Sequence, residues 1–321
     1  MRFTDIYGHE KPIAILKNAM ERDRIAHAYL FYGMEGIGKR TAVNLFARAL
    51  NCTGQEPPCD GCASCRKADH QNHPNIITIK ADGQFIKIAA IRELQARMAF
   101  RPAEGKRVFI LQEADRMNAP AANAFLKSLE EPSAGNVLLL TTARAHALPM
   151  TILSRCQHLR FTPLAREEVA RYLQEKEGLD AAAAEVLAAS SGGSIGRAIE
   201  MNQEGFITLR NVILEHLAQD NPADLLKRLA FAGRFGTERE EILESLRILR
   251  SGYRDGLVLR ETGQKERLMF PDRAEVIGTI AQRLSGRDFL HNMTVVDEAI
   301  GAILQNANKS LTLEAMLIKL A

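Results

Sequence analysis

The 321-residue chain carries 42 basic and 39 acidic side chains, a net charge of +3, and 46% of its residues are hydrophobic. This composition is typical of a folded globular protein and excludes a disordered chain, and the length predicts two or three domains. No apolar run approaches the roughly 20 residues needed to cross a membrane, and the N-terminus lacks an apolar secretory core. We therefore expect a cytoplasmic protein without a membrane partner, in which any contact with nucleic acid depends on a local basic patch.

The first part of the chain alternates apolar runs with helical periodicity. Four runs predict strands, at residues 28–33, 75–80, 107–112 and 136–142. Apolar spacing predicts helices at residues 41–50 and 91–100, and a third helix that begins at Asn118 and ends by Glu131, because Pro132 disfavours helical geometry in the residue before it. Strands that alternate with helices predict a mainly parallel sheet covered on both faces.

Beyond about Pro163 the sequence pattern is helical. Asn221-Pro222-Ala223-Asp224 predicts a helix start with acidic charge in the first turn, and a Ser- and Gly-rich loop interrupts the region at residues 190–194. A second boundary is expected at Glu204-Gly205. We therefore predict three domains: an α/β domain at 1–162, a small helical domain at 163–205 and a larger helical domain at 206–321.

A glycine-rich segment matches the pattern GxxxxGK between a predicted strand and a predicted helix. Its glycines Gly33, Gly36 and Gly38 allow backbone amides to turn toward phosphate oxygens, and Lys39 is expected to reach the outer phosphates. The helix N-terminus adds positive potential. The alternative is a glycine-rich turn with an ordinary surface lysine, which the strand–loop–helix context disfavours. ATP or ADP is the expected ligand of such a loop.

Two positions that support Mg²⁺ in an active phosphate-loop ATPase are altered. Arg40 stands where Ser or Thr is required, and Thr41 comes one residue late, which is about 100° around a helix. Gln112 ends the third predicted strand in place of an Asp. Glu113 stands where a water-activating carboxylate belongs, but we favour the interpretation that Glu113 and Asp115 are solvated residues beyond the strand. We therefore do not expect firm Mg²⁺ binding or efficient hydrolysis, although nucleotide binding without turnover stays open.

Four of the five cysteines lie within fourteen residues, with the spacing C-x6-C-x2-C-x2-C: Cys52, Cys59, Cys62 and Cys65. Four thiolates can bind Zn²⁺ tetrahedrally, and a closed four-cysteine site is structural, not catalytic. The alternative is four free thiols in a surface loop, which would be prone to oxidation. His70 and His73 lie close by and could replace a ligand, whereas the distant Cys156 is expected to be buried in packing.

Together these segments resemble the clamp-loader branch of the AAA+ family. The similarity begins at Phe3-Thr4-Asp5-Ile6-Tyr7-Gly8 and continues through the glycine-rich loop, the cysteine insertion, NAFLKSLEEP at residues 123–132, Ser154-Arg155-Cys156 and the final segment LTLEAMLIKL. The resemblance implies an α/β AAA+ P-loop domain with a parallel sheet and a zinc module at residues 52–65. It also implies that the small helical domain is a lid and that the larger one is a collar through which five subunits form a ring.

The resemblance further implies a subunit of a bacterial DNA polymerase III clamp loader, which acts in DNA replication. Its implied partners are the gamma/tau and delta subunits of a hetero-pentamer, the sliding clamp and primer–template DNA. Arg40, Gln112 and the Gly196 that replaces a sensor 2 arginine fit a non-hydrolysing accessory subunit of this DNA-directed DNA polymerase better than the gamma/tau motor. Arg155 is implied to be an arginine finger for the ATP site of the adjacent subunit, and Thr141 or Thr142 matches sensor 1.

Two other functions stay open at this point. The chain could be an active AAA+ ATPase in which Thr41 and Glu113 rescue the metal site, or a zinc-dependent DNA-binding adaptor without a motor role. Arg101, Lys106 and Arg107 are candidate contacts to DNA phosphates, against the interpretation that they form an ordinary solvated face.

Overall fold

The computed structural model describes residues 2–100, 102, 105–203, 205–220 and 224–321. The chain divides into two compact units, Met1–Glu177 with Gly192–Arg197, and Gly178–Ser191 with Ala198–Ala321. Glu204, at the expected second boundary, and Asn221-Pro222-Ala223, at the predicted helix start, lie outside the described residues. The division into three domains stays a prediction.

A parallel sheet forms the centre of the first unit. Its strands are β1 (Ala28–Tyr32), β2 (Ile76–Ile79), β3 (Arg107–Leu111), β4 (Asn136–Thr142) and β5 (Gln157–Arg160). They pair in the order β2-β3-β4-β1-β5, and every pairing is parallel. The four predicted strands are confirmed. The fifth was not predicted, because this edge strand buries only Leu159 and therefore lacks an apolar run.

Helices cover both faces of this sheet. The first unit contains α1 (Glu10–Glu21), α2 (Lys39–Ala49), α3 (Ala63–Asp69), α4 (Ile88–Met98), α5 (Ala119–Glu130), α6 (Met150–Leu153) and α7 (Arg166–Glu177). One core cluster joins Leu16 of α1 and Phe46 of α2 to the sheet. The cluster on the opposite face contains Leu94 of α4 and Phe125 of α5. Side chains alternate between the two faces along each strand, so the apolar central strands contribute to both core clusters. The predicted sheet with helices on both faces is therefore confirmed.

Helix α5 begins and ends where its sequence predicts. The Asn118 side chain accepts a hydrogen bond from the backbone N–H of Ala121 at 3.0 Å, and Pro120 lies in the first turn. The last helical residue is Glu130, two positions before Pro132. These local signals set the two ends of α5. Its last residue, Glu130, pairs with a candidate functional residue described below.

The helices of the remaining chain follow one another without a strand in the described residues. They are α8 (Ala181–Ser190), α9 (Ile195–Gln203), α10 (Phe206–Gln219), α11 (Leu225–Phe231), α12 (Arg239–Thr262), α13 (Ala274–Arg283), α14 (Gly286–Leu304) and α15 (Lys309–Lys319). The 24-residue α12 packs mainly against α13 and α14. The helical character predicted for this part of the chain is confirmed.

A glycine in α12 allows α14 to pack closely, and we expect its replacement by alanine to be destabilising. A Cβ atom on Gly256 would lie 2.5 Å from Cε1 of Phe289, whose side chain is fully buried. Because that ring cannot move without disturbing the core, Gly256→Ala should lower the free energy of unfolding by about 1–3 kcal/mol. Chemical denaturation monitored by circular dichroism measures this change.

Gly301→Ala is the matched control. Gly301 lies in α14, and a Cβ atom there would meet nothing within 4 Å. Alanine is the better helix former, so this variant should be about 1 kcal/mol more stable. If both substitutions changed the free energy of unfolding equally, close packing at Gly256 would not be the cause of the destabilisation.

Candidate functional site

The glycine-rich loop connects β1 to α2, as the sequence predicts. Gly33, Gly36 and Gly38 have φ angles of 147°, 71° and 97°, which side chains disfavour. Lys39 begins α2, and its side chain turns back over the loop, where Nζ donates hydrogen bonds to the carbonyl oxygens of Gly33 at 2.6 Å and Met34 at 2.5 Å. Burial lowers the pKa of Lys39. The ammonium group is thus satisfied by the loop's own carbonyl oxygens, with which phosphate oxygens would have to compete.

A second segment of the chain packs directly on this loop. The Ser194 hydroxyl donates a hydrogen bond to the carbonyl oxygen of Glu35 at 2.9 Å. The backbone N–H of Gly196 donates to the carbonyl oxygen of Gly36 at 2.8 Å. Ser194 Oγ also accepts from the N–H of Arg197 at 3.2 Å, so this residue caps α9 and joins it to the loop. The sequence pattern predicts only an interrupting loop at residues 190–194, although a serine directly before a helix is a usable capping signal.

The close approach explains the glycine at the expected sensor 2 position. A Cβ atom on Gly196 would lie 2.7 Å from Cα of Gly36, and one on Gly36 would lie 2.3 Å from Oγ of Ser194. A side chain at either position would push the two segments apart. An arginine at residue 196 is therefore incompatible with the observed packing.

The residues near the expected magnesium site are engaged with protein groups. Glu113 Oε2 accepts a hydrogen bond from Arg116 at 2.8 Å. Asp115 accepts from the Thr142 hydroxyl at 2.7 Å and pairs with Arg144 at 2.8 Å. The Asp115 side chain is only 5% exposed, so the interpretation of this residue as solvated was wrong: a hydroxyl and a guanidinium stabilise it in a buried position.

The other candidate positions surround the same strand ends. Gln112 directly follows β3, and its backbone N–H bonds to the carbonyl of Ile79 at 3.0 Å. The Thr141 hydroxyl accepts a hydrogen bond from the backbone N–H of Glu113 at 3.1 Å, so it orders the end of β3. Arg40 is exposed and Thr41 half-buried in the first turn of α2. The structure thus brings the predicted nucleotide-site residues together at the carboxyl ends of the strands, without a free carboxylate for a cation among Glu113 and Asp115.

Arg155 lies at the surface just after α6. Its Nη2 is 2.9 Å from Oε1 of Glu130, and Nη1 donates to the carbonyl oxygen of Thr151 at 3.0 Å. The side chain remains 36% exposed. The next residue, Cys156, packs against the core beneath α5, and burial raises the pKa of its thiol to about 12, in agreement with the expected packing role. The guanidinium is therefore anchored at one side and accessible at the other.

The four clustered cysteines converge on one point. All four Sγ atoms lie within 4.8 Å of one another, and tetrahedral binding at a metal–sulfur distance of about 2.3 Å requires a separation of roughly 3.8 Å. Gly54 allows the turn to close, because a Cβ atom there would lie 2.7 Å from Sγ of Cys59. The cluster fits a tetrahedral metal ion.

Backbone amides point at these sulfur atoms. Sγ of Cys52 accepts from the N–H groups of Gly54 and Cys59 at 3.3 and 3.4 Å, and Sγ of Cys62 accepts from that of Cys65 at 3.3 Å. Backbone hydrogen bonds lower the pKa of Cys62 to about 5, whereas burial raises that of Cys65 to about 12. Because metal ligation requires deprotonated sulfur, a cation is the partner that would stabilise all four thiolates together.

Other residues hold the cysteine module in place. Arg48 of α2 is buried and pairs with Asp60 at 2.5 Å and Asp69 at 2.8 Å. His73 is not needed as a ligand: its Nε2 lies 2.9 Å from the Ser64 hydroxyl, and its Nδ1 accepts from a backbone N–H. Within the described residues, the four cysteines form the one metal-ligand cluster found.

Arg107, one of the basic residues proposed to contact DNA, is bonded within the protein. Arg107 Nη1 donates to the carbonyl oxygens of Arg97 and Phe100 at 2.7 and 2.6 Å, so it caps the end of α4. The backbone N–H of Lys106 bonds to the side chain of Asn51, and Arg101 lies outside the described residues. The contacts of Arg107 give it a structural role.

Comparison with known proteins identifies the family. The chain is 30% identical over 322 residues to the DNA polymerase III subunit delta-prime of Bacillus subtilis, covering 95% of the chain and 94% of that protein. The chain belongs to the DNA polymerase III delta-prime family. A family model described as DNA polymerase III, delta subunit, matches residues 8–165. The predicted AAA+ fold and clamp-loader family are thereby confirmed.

Relatives of the delta-prime family differ in how much of their length the chain covers. The DNA polymerase III tau subunit of B. subtilis is 32% identical over 62% of this chain, but only 37% of tau is covered. The tau subunit of Escherichia coli is 33% identical over 63% of the chain and 32% of its own length. A solved gamma subunit-related protein of Thermotoga maritima covers 94% of this chain and is itself covered over 97%, at 20% identity and a TM-score of 0.44. None of the helices in the described residues has the length and apolar character needed to span a membrane.

Proposed function

We propose that the chain is a non-hydrolysing clamp-loader subunit that lends Arg155 to the ATP pocket of a neighbouring subunit. It works in the bacterial cytoplasm with gamma/tau and delta subunits in a hetero-pentamer that loads the sliding clamp on primer–template DNA. The observation that carries the proposal is the contrast between two sites. Arg40 and Gln112 replace the groups that would support Mg²⁺ in the chain's own pocket, whereas the Arg155 guanidinium lies at the surface.

The arrangement around the glycine-rich loop argues against turnover by the chain itself. Asp115, close to the end of β3, is neutralised by Arg144. Arg40 and Gln112 replace the hydroxyl and carboxylate that would support Mg²⁺. The ligand that we assign to this loop is ATP or ADP without Mg²⁺.

The last helix supports a role in subunit assembly. Leu311 and Ile318 of α15 are 66% and 57% exposed, and their spacing of seven residues puts them on one helix face. Exposed apolar residues on a shared face are typical of protein contact surfaces. We assign assembly of the ring to this collar domain.

Zinc is the metal that we assign to the four cysteines. Four thiolates favour Zn²⁺, and a closed site has a structural role. Bound zinc would crosslink the loop of residues 52–65, while Arg48 attaches this module to α2 through Asp60 and Asp69.

The test of this function is reconstitution. We expect the purified chain to show no ATP turnover alone, and to join gamma/tau and delta subunits in a complex with DNA-stimulated ATPase, measured by size-exclusion chromatography and phosphate release. Steady turnover by the isolated chain would support the active-ATPase alternative. Tight DNA binding by the isolated chain with a steep salt dependence, and no complex formation, would support the DNA-binding adaptor.

The variant Lys39→Ala distinguishes ATP hydrolysis in the chain's own pocket from hydrolysis in the pocket of the neighbouring subunit. Because the chain's own loop does not drive turnover in our proposal, the variant should assemble and leave the DNA-stimulated ATPase of the loader unchanged. The corresponding lysine variant of a gamma/tau subunit is the positive control and should lose activity. A Lys39→Ala loader that assembles normally but loses most of its ATPase would contradict a non-hydrolysing role.

A further inference from the structure

One edge of the sheet is open for pairing. Strand β2 ends the strand order, so its outer side has no partner strand among the described residues. The carbonyl of Ile79 binds the N–H of Gln112 next to β3. Since successive residues in a strand direct their backbone groups to opposite sides, the N–H and C=O of Thr78 and the N–H of Lys80 point outward. Such groups are a template for another strand.

Two clefts flank this edge, one on each face of the sheet. Cleft A, lined by Arg40, Arg48, Asp69, Thr78 and Lys80, has a volume of about 530 Å³. Cleft B has a volume of about 480 Å³ and is lined by Ile77, Ile79, Ala90 and Leu94 together with the charged side chains of Lys80, Glu93 and Arg97. An extended chain laid along β2 would send alternate side chains into cleft A and cleft B.

The two clefts differ in chemistry. In cleft A, Arg48 is neutralised by Asp69 at 2.8 Å, whereas Arg40 and Lys80 are exposed and make no ion pair in the part of the chain that the structure describes. Cleft A thus has a surplus of positive charge. Cleft B is lined partly by the aliphatic side chains of Ile77 and Ile79, which pack against the core cluster of α4 and α5. Its other part is formed by Glu93 and Arg97, whose opposite charges pair at 2.8 Å.

We propose that the outer edge of β2 binds an extended peptide of a partner protein in which acidic and aliphatic residues alternate. Its backbone adds a sixth strand to the sheet, its carboxylates enter cleft A beside Arg40 and Lys80, and its aliphatic side chains enter cleft B. Backbone pairing supplies affinity and the two clefts supply specificity. The proposal is independent of the role of Arg155.

A peptide satisfies this edge better than a nucleic acid strand does. The edge offers backbone carbonyl oxygens as well as N–H groups, and a peptide backbone supplies partners for both. Phosphates would engage Arg40 and Lys80, but would leave the Thr78 carbonyl unpaired and cleft B unfilled. The combination of positive charge, backbone pairing groups and a partly aliphatic cleft therefore favours a peptide in which acidic and aliphatic residues alternate.

The first test uses a fluorescein-labelled peptide with the sequence Glu-Val-Glu-Val-Glu-Val-Glu and the full chain. Fluorescence anisotropy should show saturable binding, tighter than that of a peptide with the same composition but with its glutamates and valines in separate blocks. N-methylation of one alternate set of residues should weaken binding by about tenfold or more, because it removes several backbone hydrogen bonds. N-methylation of the other set should have little effect, since those N–H groups face solvent.

The pattern of N-methylation also reports the direction of the added strand. Loss on methylation of the glutamates indicates an antiparallel strand, and loss on methylation of the valines indicates a parallel one, because the residues that face β2 differ in the two ladders. Equal losses for both sets, no loss for either, or equal binding of the alternating and block peptides would each overturn the proposal.

The second test exchanges the charges. Arg40→Glu with Lys80→Glu should weaken binding of the acidic peptide by about tenfold or more and allow binding of Lys-Val-Lys-Val-Lys-Val-Lys. Both side chains are exposed, and an unchanged thermal unfolding curve confirms that the variant is folded. A single-stranded oligonucleotide of equal charge that displaces the peptide at lower concentration assigns the edge to nucleic acid and overturns the proposal, as does failure of the charge exchange.

Discussion

Arg155→Ala is expected to slow ATP hydrolysis in the adjacent subunit of the assembled loader by roughly 10³-fold or more in that pocket, the range found for arginine fingers. The guanidinium stays charged and offers planar donors to the transferring phosphate, which alanine cannot replace. Single-turnover hydrolysis in a loader with one competent ATP pocket next to this chain measures the change directly. Assembly should be normal, because the side chain is partly exposed and lies outside the core.

Three further variants distinguish a finger from a structural ion pair. Arg155→Lys keeps the charge but loses the planar donors, and should be intermediate in rate. Glu130→Gln removes the carboxylate that now anchors Arg155 at 2.9 Å, and should retain most of the activity. Arg97→Ala is the matched surface control, because Arg97 also pairs with a single carboxylate, Glu93, at 2.8 Å.

The outcomes of these variants separate the two explanations. If Arg155 served only to fix α5 through Glu130, then Glu130→Gln and Arg155→Ala would reduce the rate equally. If the Arg155→Ala loader assembled and hydrolysed ATP at the normal rate in the adjacent pocket, the assignment of Arg155 would be abandoned. A loss with Arg97→Ala as large as that with Arg155→Ala would indicate a general effect of surface charge.

Local signals made the centre of the fold predictable. The buried strands β1, β3 and β4 have continuous apolar runs because helices cover both faces, and Asn118 with Pro120 marks the start of α5. The glycines of the phosphate-loop pattern and the four clustered cysteines each lie within a short segment, so their spacing alone predicts a phosphate loop and a metal site. Each of these features depends on neighbours in the sequence, which is why pattern and spacing were sufficient.

Features that depend on distant contacts were missed. Strand β5 is polar because it lies at an edge, and the burial of Asp115 depends on Thr142 and Arg144, more than 25 residues away. Ser194 contacts Glu35 across 159 residues, so no local pattern shows that residues 194–197 pack on the glycine-rich loop. The altered Arg40 and Gln112 signalled a weakened metal site, but only the fold reveals that the loop's carbonyl oxygens are already bonded.

Removing zinc is expected to unfold the cysteine module while leaving the rest of the first unit folded. The module consists of a loop and the seven-residue α3. Among its described residues only Pro58 and Cys65 are buried, so it lacks a core that could hold it together. Zinc binding in small structural sites contributes about 10–16 kcal/mol. Cys62→Ser combined with Cys65→Ser should therefore abolish bound zinc and expose residues 52–73 to fast hydrogen exchange.

The same experiment distinguishes a metal site from a cluster of free thiols. Cys156→Ser changes a half-buried cysteine outside the cluster and should retain one zinc ion per chain, measured by atomic absorption. The amide groups of α2 should stay protected in the double variant, because Phe46 and Leu45 belong to the core of the sheet, although Arg48 would lose the ordering effect of Asp60 and Asp69. Equal zinc content in the double variant and the parent would exclude this cluster as the ligand set. Zinc loss without faster exchange at residues 52–73 would mean that backbone hydrogen bonds, and not the metal, hold the module.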